Sequence, residues 1–143
     1  MPVKRVSPDE AHRMMDEEGY VYVDVRSVPE FDAGHPEGSY NVPLAHAGPR
    51  GMVPNPSFVA VMKRRFPLDS RVVVGCRSGG RSLQAAALLL SAGYTDVVDQ
   101  RAGFEGGPDA LGRMEPGWRY CGLPVSRQPL SGRSYADLEA DEA

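Results

Sequence analysis

The sequence predicts an α/β domain built on a parallel sheet. Short β-branched runs at residues 20–24, 72–74 and 95–99 alternate with helical stretches, which is the pattern of strand–helix–strand units. The run Val72-Val73-Val74 shows no polar alternation, as in a strand buried on both faces. It passes through Gly75-Cys76-Arg77-Ser78-Gly79-Gly80-Arg81 into Ser82-Leu83-Gln84-Ala85-Ala86-Ala87-Leu88-Leu89-Leu90. That last stretch reads as a buried helix with Gly93 just past its end.

The other elements follow in order. Residues 4–6 form a short edge strand. Ser7-Pro8-Asp9-Glu10 opens a helix, with Ser7 as N-cap, Pro8 at the first helical position and Glu10 as the reciprocal capping partner. Ala11, Met14 and Met15 supply its apolar stripe, and Gly19 ends it. After the strand at 20–24, Ser27 caps a short helix with Glu30 three residues on. Residues 34–43 are turn-rich and lead into a brief strand at 40–42. Residues 45–55, rich in Gly and Pro, form a long loop. Asn55-Pro56 then starts a helix to Arg65, with Phe58, Val61 and Met62 on one face and Lys63, Arg64 and Arg65 at its solvated end. Residues 101–117 are irregular and carry five glycines. Following the last strand, they lie at the sheet's carboxyl edge and shape the entrance to any site there. Residues 1–126 are expected to form one domain. Residues 127–143 are polar, carry Asp137, Glu139, Asp141 and Glu142, and read as a mobile tail.

Composition narrows the function classes. With 143 residues, 41% hydrophobic and 24% charged, the chain can bury one sizeable core and is globular. A net charge of -3 without a basic run argues against nucleic-acid binding. The apolar run at 85–90 is too short for a membrane span, and no apolar segment follows the first residues as in a signal peptide. Two cysteines make no disulfide framework, so a reducing cytoplasm is the expected compartment. No Cys/His cluster has ligand spacing, and no metal is expected.

Cys76 is the candidate nucleophile. It stands where a strand ends and a helix begins, at the edge of the sheet where open α/β folds bind ligands. The loop amides face the helix N-terminus and can gather around an anion. A free thiol titrates near ~8.5, and helix N-termini and neighbouring arginines lower such a value. Gly79 and Gly80 let the backbone turn and leave no side chain in a substrate's way. His35 reads as a residue that holds its turn by a hydrogen bond rather than as a general base. Trp118 reads as packing, and Cys121 as a partly buried cysteine that seats the segment around Trp118.

Cys76-Arg77-Ser78-Gly79-Gly80-Arg81-Ser82 resembles the active-site loop of rhodanese-type sulfurtransferases. Val23-Asp24-Val25-Arg26 with Glu30-Phe31 resembles the family's first signature. Gly34-His35-Pro36-Glu37-Gly38-Ser39-Tyr40-Asn41-Val42-Pro43 resembles the second, with Pro36 where an aliphatic residue is more usual. Gly103-Phe104-Glu105-Gly106, Gly117-Trp118 and Gly122-Leu123-Pro124-Val125 resemble the closing segment. The resemblance implies a rhodanese-like three-layer domain, with a central parallel sheet of about five strands flanked by helices. It implies a persulfide on Cys76 with no separate cofactor, a donor such as thiosulfate, and cyanide or a thiol, possibly on a protein, as acceptor. It gives Arg77, Ser78, Gly79, Gly80, Arg81 and Ser82 to the anion loop, and Asp24 to the support of Arg81. Arg26 is a second supporting residue, read as the ion-pair partner of Glu30. Two rivals stand beside this reading. Cysteine phosphatases and arsenate reductases of related fold place five residues between cysteine and arginine, and four stand between Cys76 and Arg81. A silent rhodanese-like sulfur-carrier or binding module is the other rival; such modules commonly lack the cysteine.

Overall fold

The computed structural model describes residues 3–140. In chain order the elements are β1 (Lys4–Val6), α1 (Pro8–Glu17), β2 (Val21–Asp24), α2 (Val28–Ala33), β3 (His35–Pro36), β4 (Tyr40–Asn41), β5 (Ala45–Gly48), β6 (Gly51–Pro54) and α3 (Phe58–Arg65). Then come β7 (Arg71–Gly75), α4 (Gly80–Ser91), β8 (Asp96–Gln100), β9 (Gly106–Pro108), β10 (Met114–Pro116), a 3₁₀ turn (Trp118–Tyr120), β11 (Val125–Ser126) and α5 (Tyr135–Ala140). No helix among the described residues is long and apolar enough to cross a membrane.

The central sheet has five parallel strands in the order β1-β8-β7-β2-β4. Asp24 stands opposite Gly75 and Val74 opposite Asp99, so β2, β7 and β8 end together at one edge. The valine run of β7 is buried throughout, yet its side chains still alternate. Val72 and Val74 join Val23, Met62, Ala85 and Leu89 on one face. Val73 joins Tyr22, Met14, Phe104 and Trp118 on the other. Each such fully buried side chain stabilises the fold by about 1.5–3 kcal/mol.

The helix starts obey their caps in part. Ser7 Oγ accepts from the Glu10 N–H at 3.1 Å. Glu10 does not return the bond, because its carboxylate is taken by Arg13. In α2 the reciprocal box is complete: Glu30 Oε1 accepts from both the N–H and the hydroxyl of Ser27. At α3 the cap is Ser57, and Asn55 Oδ1 accepts from its N–H at 3.0 Å.

Further expectations differ from the structure, among them the irregular reading of residues 101–117, which contain the antiparallel hairpin β9–β10. Residues 45–54 form an antiparallel hairpin, β5 and β6, with Pro49 and Arg50 at its turn. Helix α4 buries one face through Ser82, Ala85, Ala86 and Leu89, and exposes Leu83, Gln84 and Leu88, because it covers only one side of the sheet. The packed chain also continues past residue 126. Ser134 caps α5 by accepting from the Asp137 N–H, and Tyr135 and Leu138 are buried in the core against α3. Tyr135 Oη meets the Asn55 amide at 3.2 Å. Asp141 and Glu142 lie outside the described residues.

Candidate active site

The site forms where β7 runs into α4. Gly75 is required at the strand end, since a Cβ there would collide with the Tyr22 hydroxyl. Cys76 follows with 2% of its surface exposed. Gly79 turns the chain with φ 104 and caps α4, a conformation that favours glycine. Its N–H points at Cys76 Sγ, 3.0 Å away.

The loop carbonyls are turned outward. Phe104 N–H donates to Cys76 O at 2.8 Å, and Glu105 N–H to Arg77 O at 3.0 Å. Gly107 lies so close to the Ser78 carbonyl that a Cβ would collide with it. Gly79 O faces the Ser82 hydroxyl and Arg5 Nη2, each at 3.4 Å. Arg5 is itself held by Asp99, whose carboxyl is fully buried and pushed up by that burial. With these oxygens engaged outside, the Gly79 N–H faces the thiol, where a loop amide can stabilise an anion on sulfur.

The charged groups pair differently from the expectation. Asp24 was expected to support Arg81, and Arg26 to pair with Glu30. Instead Asp24 binds Arg26 through both oxygens at 2.6–3.1 Å, both residues being almost wholly buried. Arg81 binds Glu30 bidentately at 2.7 and 3.0 Å. The reason is local. Asp24 Oδ1 also accepts the Arg26 N–H at 3.0 Å, so the last residue of β2 and the arginine two positions past it close on each other. Glu30, fixed by its capping bonds to Ser27, has acceptor capacity left for Arg81. Half-burial pushes the Glu30 carboxyl up, but hydrogen bonds from Arg81 and Ser27 outweigh it and bring it to about 2. Arg77 is exposed, and its guanidinium has no hydrogen-bond or salt-bridge partner among the described residues.

Two concavities flank the loop. One, of about 310 Å³, is lined by Arg26, Arg77, Arg119, Glu30, Glu105 and the Phe104 ring. Arg26 and Arg119 both stack on that ring, at 4.4 and 5.8 Å from its centroid. The other is a groove of about 910 Å³ between α3, α4 and the β5–β6 hairpin. Glu30, Phe104, Glu105 and Arg119 were not predicted as site residues. Glu30 carried signals in its capping box and in the first signature, but the sequence paired it with Arg26 rather than with Arg81.

The other singled-out residues are structural in place. His35 Nδ1 lies 2.8 Å from Phe31 O, and its ring stacks on Phe31 at 3.7 Å. Trp118 is fully buried and donates Nε1–H to Pro124 O. Cys121 is half-buried, its thiol pushed up by burial and facing Gly117 O at 3.1 Å.

The family model for the rhodanese-like domain matches residues 7–107. The chain belongs to the rhodanese-like domain family. Among its relatives, Thiosulfate sulfurtransferase 16, chloroplastic, of Arabidopsis thaliana is 41% identical over 107 residues, which is 75% of this chain and 80% of that protein. Senescence-associated protein DIN1 of Raphanus sativus is 40% identical over 97 residues, covering 68% of this chain and 53% of that protein. The chain thus spans about half the length of the radish relative. The crystal structure of Rv0390 from M. tuberculosis superposes with a TM-score of 0.73 at 32% identity, covering 90% of this chain and all of that one. The rhodanese-like region as matched ends at residue 107, so β10, the Trp118 turn and α5 lie beyond it.

Proposed function

We propose that this rhodanese-like domain is a sulfurtransferase that moves sulfane sulfur through a persulfide on Cys76. The carrying observation is a buried thiol that receives a loop N–H beside the unpartnered Arg77. The Cys76 thiolate attacks the outer sulfur of thiosulfate. A Cys76–sulfur bond forms, the donor's sulfur–sulfur bond breaks, and its electron pair leaves with sulfite. An acceptor, cyanide or a thiolate, then takes the terminal sulfur and returns the electron pair to Cys76. Each intermediate is an anion on sulfur, the charge the outward-turned carbonyls leave room for. Arg77 meets the donor's oxyanion at the polar cavity.

Intact mass measures the reaction directly. Thiosulfate should add one sulfur atom to the protein, and cyanide should remove it. Cys76→Ser should keep the fold and abolish loading, because the hydroxyl stays protonated at neutral pH. Loading that persists in this variant would sink the reading.

A further inference from the structure

We propose that the groove along α4 is an acceptor subsite, which seats a small thiol with an uncharged alkyl or aryl body and presents its sulfur to the Cys76 persulfide. The proposal rests on the sulfur-transfer reading above and names the acceptor class for the same nucleophile.

Sulfur transfer in two steps asks one thiol to serve two partners in succession, and the loop has two flanks of unlike chemistry. The cavity holding Arg26, Arg77 and Arg119 suits an oxyanion. The groove is walled by Leu44, Met52, Phe58, Val59, Ala87 and Leu88. Arg81 is its one charged lining side chain, and Glu30 neutralises it. Glu30 in turn lines the polar cavity, so this ion pair is the partition between the two flanks.

The groove's lining meets the cysteine loop at Arg81, five residues after Cys76. Arg81 lies in the first turn of α4, and Gln84 and Leu88 continue along the same exposed face for about two turns, roughly 10 Å. The Gln84 amide has no hydrogen-bond partner among the described residues and stands at the polar end. Leu88 is 46% exposed and Met52 47%, apolar surface that the core does not use. A volume of about 910 Å³ lies within the range of small-molecule sites, which are apolar with a few placed polar groups. A polar end beside the loop and an apolar far end match a molecule carrying its thiol at one end of a hydrocarbon body. A thiol whose body carries an anionic group would lose that group's hydration there and gain no cation, since Arg81 is already paired.

The step balances without an oxidant. The acceptor thiolate attacks the terminal persulfide sulfur, and a new sulfur–sulfur bond forms on the acceptor. The bond to Cys76 Sγ breaks and its electron pair restores the Cys76 thiolate. The product is the acceptor's persulfide.

The test uses the whole chain, thiosulfate as donor and three acceptors: cyanide, 6-mercaptohexan-1-ol and 2-mercaptoethanesulfonate. The apolar thiol should be used at least about tenfold better in kcat/KM than the sulfonate. Leu88→Glu, an exposed position in a helix that Glu suits, should remove that preference while leaving sulfur loading and cyanide transfer unchanged. Met52→Glu, on the hairpin wall, should do the same. Equal use of the two thiols by normally loaded protein overturns the subsite alone. A parallel fall in cyanide transfer in both variants overturns it too. A dimer that Leu88→Glu dissociates would assign the groove to a second copy of the chain and overturn it. No mass gain with thiosulfate would remove the sulfur-transfer reading and the subsite together.

Discussion

Asp24 and Glu30 are both carboxylates beside the loop, and their burial makes their losses unequal. Asp24→Asn leaves the Arg26 guanidinium 3% exposed without a counter-charge, a change that costs about 3–5 kcal/mol in comparable buried pairs. Glu30 shares a partly exposed pair, so Glu30→Gln should cost less, roughly 1 kcal/mol. It should nonetheless slow sulfur transfer, because Arg81 loses its anchor. Urea unfolding and transfer rates together check this, and equal destabilisation by the two variants would contradict the pairing described. The acid limb separates them further. The folded Glu30 carboxyl titrates at about 2 against an ordinary 4.5. The unfolded chain therefore binds more protons between these values, and the stability Glu30 contributes is full above about 4.5 and lost as pH falls towards 2. Glu30→Gln should flatten stability against pH across that window.

Among the elements, the segment from Gly103 to Gly107 does the least visible and most specific task. It holds the cysteine loop by backbone contact, so its Gly103 and Gly107 tolerate no Cβ. Gly107→Ala should displace Ser78 and reduce sulfur transfer at least about tenfold, with the far-UV circular dichroism unchanged. Wild-type transfer in this variant would mean the contact does not shape the loop. The hairpins at β5–β6 and β9–β10 escaped the sequence reading for one physical reason. Ala45–Gly48, Gly51–Pro54, Gly106–Pro108 and Met114–Pro116 bury almost nothing, so no face imposes a period of two, and Gly and Pro in them read as loop. The five-strand sheet was legible because β2, β7 and β8 are buried and rich in valine.

At the scale of the whole molecule, the cysteine loop could be read from its strand–glycine–helix grammar. Which carboxylate meets which arginine could not, since that depends on distances across the loop and not on spacing along the chain. The closing helix carried a signal in Ser134 and Asp137, a cap with its partner, and in Tyr135 and Leu138 three apart. It was hidden by the polar residues around two buried ones. Deleting residues 134–143 removes both side chains from the core and should cost about 3–6 kcal/mol, from two burials of ~1.5–3 each. It also removes the hydroxyl that Asn55 meets, and with it a tie to the groove's wall. Unchanged urea stability of the shortened chain would show that α5 is ornamental to the fold.

The outward turn of the Cys76 and Arg77 carbonyls has a consequence in time. The amides that hold them belong to Phe104 and Glu105, about thirty residues later in the chain. A ribosome-bound chain that ends before residue 105 has the thiol but not its strap. The sheet strand beside it, β8, is equally late, and contacts at such separation form only after their intervening loops close. The proposed nucleophile's loop is therefore completed only after synthesis has passed it, and a nascent chain carries Cys76 without its strap until residues 104 and 105 are made.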